Sequence, residues 1–409
     1  MTYQQTIDWL YSTQQFGIKL GLEQPRKLLR ETLSFPAPGV KVIHVAGTNG
    51  KGSTCAIIDS LARACGRRTG LFTSPHLINY GERIRVSGEM IPKKTIAEYL
   101  TKIQQHVAKW ENHPTFFEIT LAVAMRYFRE KKCELIILET GMGGRLDATT
   151  AVPADLAVIT PIAMDHSQWL GETLDAIAAE KAGIIVSRKP VLSAAQEPEA
   201  HAVIEQTANE NISPIEFMTE PLEGYSINIP GAHQRENAAL AVAACHKVGI
   251  SLNSDTVRQA LAKVTWPGRF EKLADASIIL DAAHNPHAAK SLVATWQEEY
   301  PNQKAQIVFG AVEGKNTDKV LAILSPIAEH LHLTPIESPR TLTKEELQKA
   351  LPDNPPPHTL YDDLQTLIEQ LQLNAPNAQR PATLICGSIF LIGQAKALLT
   401  SQATRPSSQ

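Results

Sequence analysis

The segment Lys41–Ala46 (KVIHVA) runs directly into Gly47-Thr48-Asn49-Gly50-Lys51-Gly52-Ser53, and Thr54 to Cys65 then has helical periodicity. A buried strand that turns through glycines straight into a helix is the opening of a βα unit, and it commits the chain to an open, layered α/β fold. Glycines let backbone N–H groups turn inward and cradle phosphate oxygens. The helix start adds the positive end of its dipole. Lys51 is placed to reach terminal phosphates, and Ser53 sits near the usual position of a Mg²⁺-binding hydroxyl. The strict Walker spacing is not met: Val45 stands where its first glycine belongs, and Gly52 separates the lysine from the hydroxyl. The plain alternative is a tight turn without a ligand.

More elements of the same kind follow. Strands are expected at 68–72, at Glu134 to Glu139 (ELIILE), at 156–160 and at 190–193, with helices over 118–131 and 172–183. ELIILE is a continuous apolar run, as in a parallel strand covered on both faces. A helix-rich stretch covers 234–264, and Trp266-Pro267-Gly268 interrupts it. A second βα series then begins, with strands near 277–281, 305–310 and 382–386. The expected division is 1–268 and 269–409. The Pro-rich segment Leu351 to His358 reads as a loop, and Ser401 to Gln409 as a polar tail.

Composition narrows the function. With 409 residues, at roughly 150 per domain, two or three domains are expected. The net charge of −3 gives no basic surplus for neutralising a nucleic-acid backbone. No apolar run approaches the ~18 residues of a membrane span, and the N-terminus lacks a signal-peptide core. The five cysteines form no metal or redox spacing, which suits buried, reduced thiols in a cytoplasmic protein.

Three strand ends carry polar residues. Ser74 follows the second strand, Glu139 closes ELIILE, and Asp165 and His166 follow the strand at 156–160. In adjacent parallel strands these ends would meet beside the phosphate loop, where Mg²⁺ could take their oxygen or nitrogen donors. Singly, Ser74 reads as a cap, His166 as a hydrogen-bonded core residue and Lys181 as a solvated helix-end lysine. The residues alone describe a P-loop NTPase-like protein whose coupled reaction stays open.

Taken in order, the motifs resemble the folylpolyglutamate synthase/dihydrofolate synthase family of the Mur ligase superfamily. They are HVAGTNGKGST (His44 to Thr54), FTSPHL (Phe72 to Leu77), ERIRV (Glu82 to Val86), TFFEIT (Thr115 to Thr120), ETGMGGRLDAT (Glu139 to Thr149) and AMDHSQWLG (Ala163 to Gly171). EKAGI (Glu180 to Ile184), GAHQRENA (Gly231 to Ala238), WPGRFE (Trp266 to Glu271), DAAHNPHA (Asp281 to Ala288) and CGSIFLIG (Cys386 to Gly393) follow. The resemblance implies a Mur-ligase-like P-loop ATPase domain with a mostly parallel sheet, then a smaller Rossmann-like α/β domain, with the site between them. It implies ATP held by Asn49, Gly50, Lys51, Gly52 and Ser53 together with Asn237, Arg269 and Asp281. It implies two Mg²⁺ sites drawing on Ser74, Glu139, His166 and a carbamylated Lys181, and it allows a K⁺ ion. For the pterin it points to Ile18, Lys19, Leu20 and Gly21, to Thr115, Phe116, Phe117 and Glu118, and to Leu146, Asp147 and Ala148. His284 is either a contact for acyl phosphate or glutamate, or a structural residue.

The implied activity is ATP-dependent addition of L-glutamate to a folate, and also to dihydropteroate, by a monomeric cytoplasmic ligase through an acyl phosphate. Thr150, Ala282 and the stretch 311–318 depart from the family pattern, and Lys19 stands where some bifunctional members have an acid. Two rivals remain. A cell-wall Mur ligase would need a UDP-binding domain ahead of a loop that already starts near residue 47. A regulatory P-loop protein would have no use for the second set of motifs.

Overall fold

A computed structural model describes residues 1–17, 21–273, 277–372 and 382–401. Ile18, Lys19 and Leu20, proposed above for the pterin loop, and residues 402–409 of the expected tail lie outside these.

The first sheet contains β1 (Lys41–Ala46), β2 (Thr69–Phe72), β3 (Ile84–Val86), β4 (Glu89–Met90), β5 (Leu135–Glu139), β6 (Leu156–Ile159), β7 (Val191–Ala194) and β8 (Ile215–Met218). Their order is β4-β3-β2-β5-β1-β6-β7-β8. β2, β5, β1, β6, β7 and β8 are parallel, while β3 and β4 add an antiparallel edge. The edge follows from the chain doubling back after Ser74, and it needs no crossover helix. The register aligns Val45 with Glu139 and with Val158, and Phe72 with Leu138. The C-terminal ends of β2, β5, β1 and β6 therefore share one rim.

Side chains alternate between the faces of β1 and β5. Val42, Ile136 and Leu138 pack with Phe72, Phe116 and Phe128 on one face, and Ile43, Val45 and Ile137 with Ile57, Ile58 and Leu61 on the other. Each fully buried side chain of this kind stabilises by about 1.5–3 kcal/mol. The helix Lys51–Ala64 is itself enclosed, with helices His233–Lys247 and Ser254–Lys263 covering its far side. That enclosure fixes the helix N-terminus under the rim.

The second sheet contains β9 (Glu271–Leu273), β10 (Ile278–Leu280), β11 (Ala305–Phe309), β12 (Ala328–Leu333), β13 (His358–Leu360) and β14 (Thr383–Cys386), in the order β13-β12-β11-β14-β10-β9. All are parallel except β9, which pairs antiparallel with β10. His358, expected in a loop, opens β13, because it pairs with Leu331.

Between the sheets the chain crosses at Trp266-Pro267-Gly268. The crossing is packed on both sides: a Cβ on Gly268 would meet Ile392 at 2.6 Å and Leu77 at 3.5 Å. All five cysteines are free, four of them buried and Cys65 half-buried. Among the described residues no helix is long and apolar enough to cross a membrane.

Candidate active site

The rims of the two sheets face each other across a cleft of about 420 Å³. Asn49, Gly50, Lys51, Gly52, Ser53, Ser74, Glu139, His166, Lys181, Asn237, Arg269, Asp281 and His284 all line it. Every residue assigned above to nucleotide, metal or catalysis thus falls in one cavity, supplied by both sheets.

The glycine loop is shaped by its neighbours. Gly50 takes φ +85°, a left-handed value, and a Cβ there would sit 2.5 Å from Asn237 Oδ1. A side chain would be strained and would push Asn237 off the loop. Gly52 is helical, but a Cβ would meet Trp266 Nε1 at 2.7 Å, so the crossing residue lies directly on the loop. The intervening Gly52, which departs from the Walker spacing, makes room for that indole. The Ser53 side chain is buried at the third helical position. Lys51 Nζ donates to the carbonyl oxygens of Gly47 and Thr48, each at 3.1 Å.

Lys181 is 5% exposed, and its Nζ donates to the same Gly47 oxygen at 2.8 Å. Burial, reinforced by the nearby Lys51 charge, pulls its pKa down to about 7. This is not the solvated helix-end lysine suggested by its local sequence. It lies in the last turn of the helix Leu174–Ala182 and points inward under the loop.

Glu139 is buried, and its Oε2 accepts from the Ser74 backbone N–H at 3.0 Å. Burial raises its pKa, and Lys51, the Ser74 N–H, Arg269 and Arg83 counter that rise. His166 is held neutral, its pKa lowered to about 3 by burial and then by Lys315. The Glu139 carboxylate and the Ser74 hydroxyl suit Mg²⁺ in donor type, and the neutral His166 imidazole is a softer nitrogen donor beside them. Among the described residues no group of three or more His, Cys, Asp or Glu forms a ready metal cage. Mg²⁺ commonly takes one or two carboxylates and completes its shell with water and phosphate, which this open arrangement permits.

The sheets are tied together at Asp165. Its carboxylate accepts from Lys315 Nζ at 2.7 Å, His284 Nε2 at 3.3 Å and Asn285 Nδ2 at 3.4 Å. Burial opposes its charge, but these partners outweigh that and hold the carboxyl well below the usual range. Lys315 also lies 3.1 Å from His166 Nε2. Asn49 joins Asn285 and His287 across the same seam. Sequence reasoning missed Lys315, although Gly314-Lys315 after β11 repeats the Gly50-Lys51 signal after β1. Asp281 accepts from the backbone N–H groups of Phe270 (2.9 Å) and Ala283 (2.8 Å), which fixes the segment carrying Arg269.

The described pterin candidates lie outside this cavity's lining. Thr115 and Glu118 form a reciprocal cap at the start of helix Phe116–Glu130. Phe116 packs against Tyr11, Tyr80 and Arg83, and Phe117 against Phe72. Asp147 Oδ2 accepts from Gly141 N and Met142 N at 2.9 Å each, holding the loop after Glu139. Leu146 and Ala148 flank it, half-buried and buried, and Gly21 is half-buried.

The Mur ligase middle domain family matches residues 45–221, and the Mur ligase glutamate ligase domain family matches residues 268–389. A phosphate loop on one parallel sheet, closed over by a second sheet, is thus the architecture of a Mur-type ligase. A curated relative, the dihydrofolate synthase/folylpolyglutamate synthase of Bacillus subtilis (strain 168), is 34% identical over 381 residues, covering 85% of this chain and 88% of its own. E. coli FolC in complex with DHPP and ADP superposes with a TM-score of 0.84 at 30% identity, covering 97% of this chain and 98% of that one. A bifunctional folylpolyglutamate synthase/dihydrofolate synthase with Mn, AMPPNP and L-glutamate bound gives the same TM-score, identity and coverage. The chain belongs to the dihydrofolate synthase/folylpolyglutamate synthase family.

Proposed function

We propose that this chain is an ATP-dependent ligase that joins L-glutamate to the carboxylate of a folate, and to dihydropteroate. The observation that carries this reading is the single cleft in which Lys51 and Glu139 of one sheet face Arg269, Asp281 and His284 of the other. The names and bound molecules of the relatives supply the substrate class.

A carboxylate does not acylate an amine unaided, because its leaving group would be oxide. Transfer of the γ-phosphoryl of ATP to the carboxylate gives an acyl phosphate and ADP. The glutamate amine attacks its carbonyl carbon, and the tetrahedral species expels phosphate as the amine proton is lost. Little covalent work is asked of the protein, so positioning and charge neutralisation dominate. The N–H groups opening helix Lys51–Ala64 receive the phosphates. Lys51 exchanges the Gly47 and Thr48 carbonyls for phosphate oxygens. Asn237, Arg269 and Asp281 orient the nucleotide, and His284 contacts the acyl phosphate or the incoming glutamate. Ser74, Glu139 and His166 would hold Mg²⁺, which offsets charge on the phosphates. The seam at Asp165 excludes water that would otherwise hydrolyse the acyl phosphate.

Lys181 carries a carbamate in this reading. Its amine, with a pKa near 7, is substantially neutral at neutral pH and can add CO₂ with loss of a proton. The anion formed would support a second cation beside Lys51. No residue of this chain is assigned to K⁺. The pterin would lie against Gly21, Phe117 and the loop that Asp147 anchors. The division 1–268 and 269–409 follows the crossing, the free cysteines suit a cytoplasmic location, and the chain is a monomer in this reading.

The test is release of ADP and phosphate with L-glutamate and either dihydropteroate or a reduced folate. Turnover that requires both glutamate and a pterin supports the reading, and ATP hydrolysis indifferent to both would reject it. Turnover with reduced folate alone would make the enzyme monofunctional.

A further inference from the structure

The helix Leu174–Ala182, whose last turn carries Lys181, is only nine residues long, and its end is not self-sufficient. A helix leaves its last four carbonyls without internal partners. Three of them are met by the residues that follow: Ala179 O by Gly183 N at 3.2 Å, Lys181 O by Ile184 N at 3.3 Å and Ala182 O by Ile185 N at 2.9 Å. The fourth, Glu180 O, is met from 35 positions earlier, by Arg145 N at 2.7 Å. The Arg145 side chain then doubles the contact, with Nε and Nη2 donating to Glu180 Oε1 at 3.1 and 2.7 Å. Backbones this close require glycines. A Cβ on Gly144 would lie 2.7 Å from Glu180 O and 2.8 Å from Lys181 O, and one on Gly183 would lie 2.3 Å from Arg145 Cβ.

The loop that supplies Arg145 begins at Glu139 and is itself fixed, because Thr150 Oγ1 and Asp147 N both donate to Gly144 O, at 2.7 and 3.0 Å. One loop therefore carries the Glu139 carboxylate at its start and grips the backbone beside Lys181 further along. A lysine amine sits on a flexible four-carbon stem. Any shift of the helix end thus carries Nζ away from its place 2.8 Å from Gly47 O. We propose that the Arg145–Glu180 pair is a clamp that holds Lys181 in register with Glu139 and the phosphate loop, and that both are positioning residues of the ligation reaction. Neither lines the cleft. Their side chains are 56% and 25% exposed, and an ion pair so open to solvent contributes little to stability. Its effect is on placement. The inference rests on the reading of Lys181 as a group of the reaction centre.

The experiment measures kcat, the KM for ATP and the urea unfolding midpoint. Proteins compared are the wild type, Arg145→Ala, Glu180→Ala, the Arg145→Ala/Glu180→Ala double variant and Lys181→Ala. Misplacing a reacting group by about 1 Å can cost about 10²-fold in rate, and a loosened clamp displaces Lys181 by less, so each single clamp variant should lose about tenfold in kcat. The KM for ATP should stay within about twofold of wild type, because the phosphate loop keeps its own glycines and Lys51. The urea midpoint should hardly move, because the pair is exposed. The double variant should lose no more than either single, since the two side chains act as one unit. Either single variant removes the pair, so one that misfolds leaves the test to the other. Wild-type kcat in a folded single variant overturns the proposal. So do losses that multiply in the double variant, and so does a fall in kcat matched by an equal fall in ATP affinity or in stability. If Lys181→Ala is as active as the wild type, the reading of Lys181 fails instead.

Discussion

Two loops of this molecule begin alike and end differently. Gly47-Thr48-Asn49-Gly50-Lys51 follows β1 and Gly310-Ala311-Val312-Glu313-Gly314-Lys315 follows β11, each the step from a buried parallel strand into a helix. In the first, the lysine folds back onto its own carbonyls, the Thr48 and Asn49 amides donate to Pro161 O, and Gly50 to Ser53, where the helix begins, line the cleft. In the second, backbone bonding to Thr341 and Arg340 closes the loop, and the lysine leaves it for a carboxylate on the opposite sheet. A glycine-lysine pair after a strand therefore marks a cation at a sheet rim. Whether it serves a ligand or a seam depends on where the lysine reaches: back onto its own loop in the first, across to the opposite sheet in the second.

The largest expected effect breaks the first loop. Lys51→Ala should lower ligation by about 10²–10³-fold, the cost of losing a charge-assisted contact to a transferring phosphoryl group. Its circular dichroism should match the wild type, because the side chain packs against little. A folded variant retaining a tenth of normal activity would remove Lys51 from the phosphate site.

Lys181, bonded to the same Gly47 oxygen, sharpens the contrast between a cation that works as one and a lysine proposed to lose its charge. Lys181→Ala should be nearly inactive and partly rescued by short carboxylic acids, while Lys181→Arg should stay inactive. The amine is mostly protonated below about pH 7 and mostly neutral above it. Enzyme stripped of CO₂ should therefore reactivate faster at pH 8 than at pH 6 when the dissolved CO₂ concentration is held equal. Reactivation that is equal at the two pH values, or an active arginine variant, would refute the carbamate.

The second loop is tested by its partner. Asp165→Asn leaves the buried Lys315 ammonium facing an amide, and should destabilise the fold by about 3 kcal/mol, read from urea unfolding. A loss under about 0.5 kcal/mol would make the pair a surface-like contact. The smallest effect separates the loops by their glycines. Gly314→Ala carries only the cost of its +79° φ, about 1–2 kcal/mol, since its nearest neighbour is Gln168 at 3.8 Å. Gly50→Ala has the same conformational strain and also displaces Asn237, so it should raise the KM for ATP as well. Similar KM values in the two variants would erase the distinction.

The rim was legible in the sequence because β5 and β6 are continuous apolar runs, and because polar residues or the glycine loop stand at or just after the ends of β1, β2, β5 and β6. Ordinary parallel pairing then had to bring Lys51, Ser74, Glu139 and His166 together. Short edge strands were not legible: Ile84–Val86 and Glu89–Met90 are too brief for a period to declare itself. β12 reads AEHLHL and places His332 in a buried position, where it bonds Gln306 and Tyr361. Nothing local announces that. Lys315 was hidden for a different reason: its partner is 150 positions away, and only the docking of two sheets makes them neighbours. Thr115, Glu118 and Asp147 were visible as polar residues in motifs, but sequence does not tell a cap or a loop anchor from a ligand contact.

The Trp266 indole rests on Gly52, and Gly268 is pinned between Leu77 and Ile392. The chain thus passes from one sheet to the other at the phosphate loop itself. Any swing of the second sheet about that crossing has its fulcrum beside the nucleotide. Arg269, next to the fulcrum, would travel little and keep its grip through an opening stroke. Such a hinge would let the enzyme stay loaded at one end of the cleft while the other end opened to admit an amino acid and release the lengthened product.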